Sequence, residues 1–329
     1  MDSKKVLVTG GAGYIGSHAC KALAQAGYQP ITFDNLSRGN RVAVKWGPLE
    51  IGDIRDRAAV LKVLKTHEPV AILHFAALAY VGESVTHPLE YYDNNLLGSL
   101  SLIQASVAAG IEALVFSSTC ATYGAPRQQL IDESHPQQPI NPYGQSKLCV
   151  EQILRDVGHA TRLRYMNLRY FNAAGADSEA EIGEMHDPET HLIPLAIAAA
   201  SGSAPGFTIY GSDYDTPDGT CVRDYIHVSD LARAHVLGLK YLLDGNDSVS
   251  LNLGTGVGFS NREVVEKIDE LSGAHIRIQY GARRAGDPAS LVANPARAST
   301  LLGWVPEQSD IDNIVRTAWN WHKLNINVR

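Results

Sequence analysis

Gly10-Gly11-Ala12-Gly13-Tyr14-Ile15-Gly16 follows directly on Lys5-Val6-Leu7-Val8-Thr9, and residues 17–26 then carry helical composition up to Gly27. The apolar run reads as a buried strand, and Gly27 as a helix stop. Strand, glycine-rich turn and helix therefore stand in that order. Gly11, Gly13 and Gly16 satisfy one spacing, GxGxxG, and Gly10, Gly13 and Gly16 another, GxxGxxG. Either way, positions without a side chain let the backbone turn sharply and let a pyrophosphate approach the N-terminus of the helix. The alternative for an isolated glycine motif is a tight turn, but the flanking strand and helix are the context that a dinucleotide site needs.

Working outward, Pro30-Ile31-Thr32-Phe33-Asp34 is a second strand, ending in an acid about 20 residues past the glycines. An acid there accepts hydrogen bonds from the adenosine ribose. A carboxylate repels a 2′-phosphate, so NAD is favoured over NADP, although Arg38 nearby works against this. The alternative for Asp34 is a cap or turn residue. Further strands are expected at 49–51, 70–75, 113–116 and 163–168. Asp53, just after the third of these six, could meet the adenine edge. The small residues Ala76-Ala77 leave room for a flat ligand at a strand's carboxyl end. Ser117-Ser118-Thr119 follow the fifth strand, where hydroxyls point into the ligand crevice or simply form turns. Strands alternating with helices imply a parallel sheet covered on both faces.

Beyond Ala176 the texture changes. Residues 177–191 are acidic and poor in large apolar side chains, which predicts a long loop or lid. Strand-like segments at 207–211, 222–226 and 250–253 alternate with helical ones at 230–243, 261–271 and 311–321. The fold class is α/β, a doubly wound parallel sheet with a second, smaller mixed α/β unit. The chain returns to the first unit, giving expected divisions of 1–175 plus 226–256 and 176–225 plus 257–329.

The chain has 329 residues and a net charge of −7 with no basic block, so nucleic acid is not an expected partner. Its longest apolar tract, 192–200, is interrupted by Pro194 and falls far short of the ~20 residues that span a bilayer. No apolar h-region with a small-residue cleavage site is seen before the first strand, so a secreted protein is not expected. Cys20, Cys120, Cys149 and Cys221 are scattered, so reduced thiols in a cytoplasm are expected. No HExxH or CxxC spacing reads as a metal site.

One stretch carries chemistry of a different kind: Asn141-Pro142-Tyr143-Gly144-Gln145-Ser146-Lys147. Pro142 suits the first turn of a helix, which puts Tyr143 and Lys147 on one face. A tyrosine hydroxyl titrates near ~10, and lowering this to ~7 takes about 4 kcal/mol. A neighbouring ammonium can supply much of that and a cofactor cation more, giving a base able to take an alcohol proton.

Together these segments resemble the extended short-chain dehydrogenase/reductase superfamily and, within it, the UDP-glucose 4-epimerase family over essentially the whole chain. Besides the glycine loop, the resemblance is carried by Asp34-Asn35-Leu36, Gly52-Asp53-Ile54, His74-Phe75-Ala76-Ala77, Val81-Gly82-Glu83-Ser84, Tyr91-Tyr92-Asp93-Asn94-Asn95, Arg169-Tyr170-Phe171-Asn172 and Gly219-Thr220-Cys221-Val222-Arg223-Asp224-Tyr225-Ile226-His227-Val228. The last is the most specific. The resemblance implies a homodimer that interconverts UDP-glucose and UDP-galactose with bound NAD. It implies catalytic roles for Tyr143, Lys147 and Thr119, with Thr119 bridging sugar and tyrosine. Gly10, Gly13, Tyr14, Ile15 and Gly16 would hold the pyrophosphate, and Asp34, Asn35, Asp53 and Ile54 the adenosine half. Phe75, Ala76, Ala77, Asn94, Lys147 and Phe171 would complete the NAD site. Asn172, Leu192, Arg223, Tyr225, Arg284 and Asp287 would join Thr119 and Tyr143 around the UDP-sugar. Arginine suits this because its planar fork grips a diphosphate.

Three positions depart from the pattern. Ala79 stands where many relatives have lysine, His191 replaces a common asparagine, and Leu291 replaces an aromatic residue that often faces the hexose. A smaller residue there would admit N-acetylated sugars. The rival activities are 4,6-dehydration of a nucleotide sugar and plain alcohol oxidation, and a third rival is a catalytically silent NAD sensor. Dehydratases place an acidic pair after the catalytic threonine, where this chain has Cys120-Ala121.

Overall fold

The structure, a computed structural model, describes residues 3–284 and 286–325. The outer ends of the two expected units, at 1–2 and 326–329, lie outside the described residues, as does Ala285. Six strands in chain order are β1 (Lys5–Thr9), β2 (Gln29–Asp34), β3 (Leu49–Ile51), β4 (Ala71–His74), β5 (Ala113–Thr119) and β6 (Arg164–Tyr170). With Val249–Leu253 they form one parallel sheet in the order Val249–Leu253, β6, β5, β4, β1, β2, β3. The order reverses between β1 and β4, and the crevice beyond the carboxyl ends at that point is where doubly wound sheets bind ligands.

Both faces of the sheet are covered, which is why β1 reads as a continuous apolar run instead of an alternating one. Val6 and Val8 face a core built with Ala19 and Leu23 of helix α1 (Tyr14–Gln25) and with Leu231 and Leu239 of the Val228–Leu243 helix. Leu7 faces the other way, against Leu64, Leu102, Val150 and Leu154 on helices Arg57–His67, Gly98–Ala108 and Pro142–Ala160.

A second core packs Ile193, Ile197, Val264, Ile268, Ile314 and Val315 from three helices, Leu192–Ala200, Asn261–Ser272 and Ile311–Asn325. It includes Phe207 and Ile209 of a two-stranded sheet formed by Phe207–Tyr210 and Ile278–Gly281. The middle helix is fixed locally by a capping box, in which Ser260 accepts from the Glu263 N–H and Glu263 accepts from the Ser260 N–H.

The expected strand at 222–226 is split. Val222–Arg223 joins Phe259–Ser260 and Ser290–Leu291, whereas Tyr225–His227 pairs with Asn172–Ala174. Between them the buried Asp224 carboxylate accepts from the N–H groups of Thr255, Gly256 and Ala293, so this stretch ties the small sheets to the loop after Leu253.

The expected strand at 113–116 runs on to Thr119, so Ser117-Ser118-Thr119 lie within β5 and are buried. The segment 177–191 forms neither helix nor strand, but it is pinned instead of loose. Lys21 Nζ donates to Asp177, Glu179 and Glu181 at 2.6–2.9 Å, and Trp321 Nε1 donates to the Glu184 carbonyl at 3.1 Å.

Candidate active site

A cavity of about 1110 Å³ opens at the β1/β4 reversal and runs across to the small sheets. Its near end is built by the glycine loop. Gly10 has a φ of +73°, and a Cβ there would stand 2.5 Å from the Ala76 nitrogen. Only glycine permits both that backbone conformation and the contact with the end of β4. Helix α1 begins at Tyr14 without a side-chain cap and without an acid in its first turn. Its first N–H groups are thus left to face an anion, with the helix dipole in support.

Asp34 is buried and makes the turn expected as its alternative role. Its carboxylate accepts from the Ala12 N–H at 3.0 Å, tying the glycine loop to β2, and from the Leu36 N–H at 2.8 Å, making a turn. Burial raises its pKa, and these two hydrogen bonds pull it back down. Asn35 Nδ2 donates to Asp53 at 2.9 Å. Asp53 itself does not line the cavity. The Arg55 guanidinium holds its carboxylate and keeps it well below the usual carboxylate range.

The middle of the cavity holds the tyrosine–lysine pair. Asn141 caps the Pro142–Ala160 helix by accepting from the Gly144 N–H at 2.8 Å, and Pro142 occupies its first turn as the sequence predicts. Tyr143, Lys147, Ser117, Thr119 and Tyr170 all line the cavity at this level. Lys147 is buried, donates to the Ser117 carbonyl at 2.8 Å and lies 4.8 Å from the Phe116 ring centroid. Burial pushes its pKa down to about 7, while the Glu151 carboxylate one turn on pulls it up.

Here the electrostatics differ from the sequence expectation. Tyr143 is raised above the ordinary tyrosine value, first by burial and then by the Tyr170 phenol, with a hydrogen bond to Thr119 working the other way. Lys147 directs its proton to a backbone carbonyl and does not counter this rise. Burial thus works against a phenolate here, and a cofactor cation is the group left to offset it.

The lysine has a measurable consequence. Between about pH 7 and 10 an unfolded chain keeps the Lys147 proton while the folded chain has released it. The unfolded state then binds more protons, so stability rises with pH across that window. Nucleotide-free protein should therefore gain stability relative to a Lys147→Met variant between pH ~7 and ~9.5, as read by urea unfolding. A gap that stays flat or shrinks contradicts the burial of this amine.

At the far end, Arg223 lies on Val222–Arg223, one-tenth exposed, and its guanidinium donates to the Pro288 carbonyl at 2.9 Å and to Asp287 at 3.3 Å. Exposed Arg284 stacks over Tyr210 at 4.2 Å. Asn172, Leu192, Tyr225, Arg223, Arg284 and Asp287 all line this end. Of the residues expected to hold NAD, Gly10, Gly13, Tyr14, Ile15, Gly16, Asp34, Asn35, Ile54, Phe75, Ala76, Ala77, Asn94, Lys147 and Phe171 line the same cavity. His191 and Leu291, two of the departures, also line it, as does Ala79. The sequence reading named Ser117 for its hydroxyl and missed its carbonyl, which positions the lysine, and it missed Tyr80, Tyr210 and His186 in the walls. Only the strand register could have revealed the role of the Ser117 carbonyl.

A glycine cradle under an uncapped helix end, a buried acid beyond it and a lysine facing a small-residue strand end suit a dinucleotide. Comparison with known proteins agrees. The description of the NAD dependent epimerase/dehydratase family matches residues 6–254. The chain is 58% identical to a UDP-glucose 4-epimerase of Rhizobium leguminosarum bv. trifolii, over 98% of both chains. A crystal structure of UDP-glucose 4-epimerase from Brucella ovis in complex with NAD superposes with a TM-score of 0.94 at 52% identity, covering 97% of this chain and 98% of that one. One from Bifidobacterium longum in complex with NAD+ and UDP gives 0.93 at 39% identity, covering 98% and 99%.

Proposed function

The chain belongs to the NAD dependent epimerase/dehydratase family, and from that premise we propose that it interconverts UDP-glucose and UDP-galactose as an NAD-dependent isomerase. The observation that carries this reading is a single cavity in which the glycine loop and Asp34 lie at one end, Tyr143 and Lys147 in the middle, and Arg223 and Arg284 at the other. In this proposal the unit 1–175 plus 226–256 takes the cofactor, and the unit 176–225 plus 257–329 takes the UDP-sugar.

Gly10, Gly13, Tyr14, Ile15 and Gly16 would hold the pyrophosphate. Asp34, Asn35 and Ile54 would hold the adenosine half, with Asp53 acting through Asn35. Phe75, Ala76, Ala77, Asn94, Lys147 and Phe171 would line the nicotinamide half. When bound, NAD supplies a cation beside the phenol and reversible acceptance of hydrogen from the sugar C4. Tyr143 takes the proton of the 4-hydroxyl and returns it. Thr119 bridges that hydroxyl and the phenol. Lys147, on the same helix face, would bind the nicotinamide ribose and so keep the cofactor's positive charge beside the phenol. Arg223 and Arg284 grip the diphosphate, and Asn172, Leu192, Tyr225 and Asp287 frame the rest. The 4-keto sugar formed midway turns within the cavity before reduction on its other face. Cys120-Ala121 after Thr119 supply no acid or base for elimination, which argues against dehydration.

The purified chain incubated with UDP-glucose and no added NAD should form UDP-galactose. A 4-keto-6-deoxy product, or no product from protein that carries NAD, defeats the reading. We also propose that N-acetylated UDP-hexosamines are accepted, because Leu291 is half-buried at the sugar end where a ring would crowd the cavity. The same assay with UDP-N-acetylglucosamine tests this, and failure to turn it over rejects it.

The proposed assembly is a homodimer. Val85, Leu89 and Leu97 are exposed, Leu89 by 81%, along the helical stretch 81–97. Leu89→Glu combined with Leu97→Glu should halve the mass measured by light scattering. A parent chain that is monomeric, or a variant of unchanged mass, contradicts this interface. A cytoplasmic location is proposed from the four free cysteines and is tested by cell fractionation. Among the described residues no helix is long and apolar enough to cross a membrane.

A further inference from the structure

Two groups of metal-ligating side chains lie in the segment after Ala176, and they differ in one respect. Asp177, Glu179 and Glu181 already enclose a cation, the Lys21 ammonium, at 2.6–2.9 Å. Glu184, His186, Glu189 and His191 surround no lysine or arginine nitrogen among the described residues, although one ligand atom from each lies within 4.8 Å of the others. Both imidazoles aim Nδ1 at the same oxygen, Glu184 Oε1, His186 from 2.9 Å and His191 in a short contact. One oxygen cannot be well placed for both, and among the described residues the buried His186 Nδ1 has no hydrogen bond of good geometry. The opposite wall is Glu189, whose side chain is nine-tenths buried. Its Oε1 accepts from the Thr190 and His191 N–H groups and lies 3.6 Å and 3.9 Å from the two Nδ1 atoms. Its Oε2 is buried with no hydrogen-bond partner among the described residues.

We propose that Glu184, His186, Glu189 and His191 bind one divalent transition-metal ion of the zinc class on the wall of the cavity. Two imidazole nitrogens and two carboxylates are a donor set that suits zinc, cobalt or nickel more than the all-oxygen shells of calcium or magnesium. A tetrahedral ion with ligands at about 2.0–2.2 Å keeps them about 3.3–3.6 Å apart; three of the four imidazole–carboxylate separations here are 2.9, 3.6 and 3.9 Å, and the fourth, His191 to Glu184, is shorter and would open on binding. The frame is already held: the carbonyls of Glu184, Met185 and Asp187 accept from Trp321, Asn40 and Arg38. The Tyr14 and Tyr80 rings stand edge-on to His186, with centroids 6.1 Å and 5.5 Å away. His186 and His191 line the cavity, which gives the ion a path in. An ion here fastens the 184–191 segment into a fixed shape over the cavity.

The test uses the untagged full chain, stripped with a chelator and titrated with Co2+. The expected result is a visible absorption band of tetrahedral cobalt that saturates at one ion per chain and is displaced by Zn2+. His186→Gln with His191→Gln should weaken binding by more than the roughly 10- to 100-fold that losing an outer partner costs. Glu179→Gln should leave it unchanged. Circular dichroism of the metal-free variants confirms that they fold. If they do not, anomalous scattering from crystals of the unaltered chain grown with Co2+ should place the ion about 2.0–2.2 Å from the two Nδ1 atoms. No band, an ion elsewhere, equal binding by the double variant, or loss of binding in Glu179→Gln overturns the proposal.

Discussion

Replacing Tyr143 by phenylalanine is expected to slow conversion of UDP-glucose to UDP-galactose by roughly 100- to 10,000-fold, about 3–5 kcal/mol of barrier. Only the hydroxyl is removed. The ring keeps its edge-on contact with Tyr91, at a centroid distance of 6.4 Å, so packing at the start of the helix is preserved. The NAD content of the purified variant should match the parent, because the ring is not part of the glycine cradle. Protein-bound NAD and the rate are read together. Lost rate with retained NAD places the loss in proton transfer, whereas lost rate with lost NAD makes Tyr143 a scaffold residue and removes its proposed role.

The second large effect is on stability. Glu151 sits on the same helix face as Lys147, and its carboxylate accepts from the Arg169 guanidinium at 2.6–3.2 Å and from Ser118 Oγ at 2.5 Å. The two side chains are 4% and 7% exposed. Burying such a pair is costly, and removing one partner strands the other charge, which typically costs about 3–5 kcal/mol. Glu151→Gln is expected to lose that much in urea unfolding. Arg169→Met should lose a similar amount, and Glu151→Gln with Arg169→Met less than the sum. Additive losses would mean that the two charges are solvated independently. Glu151 also raises the Lys147 pKa, so Glu151→Gln should make that amine still harder to protonate.

How much of this could be read from the sequence depended on the range of the interaction. The glycine cradle, Asp34 and the Pro142–Lys147 turn are local, with partners within a few residues or at the next strand end, and their spacing carries them. Strand limits slipped where chemistry overrode composition. Ser117-Ser118-Thr119 are polar yet lie within β5, because Ser118 meets the buried Glu151 and the Ser117 carbonyl meets Lys147. The Tyr143 pKa could not be read at all, since it depends on burial and on Tyr170 from another strand. The Glu184–His191 cluster was invisible for a similar reason. Its ligands follow no helical spacing, and an irregular backbone held by Trp321, Asn40 and Arg38 brings them together.

The account rests on the claim that the phenol of Tyr143 becomes a base only with cofactor beside it. The direct measurement is the near-ultraviolet tyrosinate absorbance of NAD-loaded protein followed against pH, beside nucleotide-free protein and the loaded Tyr143→Phe variant. The account predicts one tyrosine ionising near pH ~7 in the loaded parent, absent from the variant and shifted well above the ordinary tyrosine value without nucleotide. Loaded, active protein in which no tyrosine ionises below about pH 9 would contradict it.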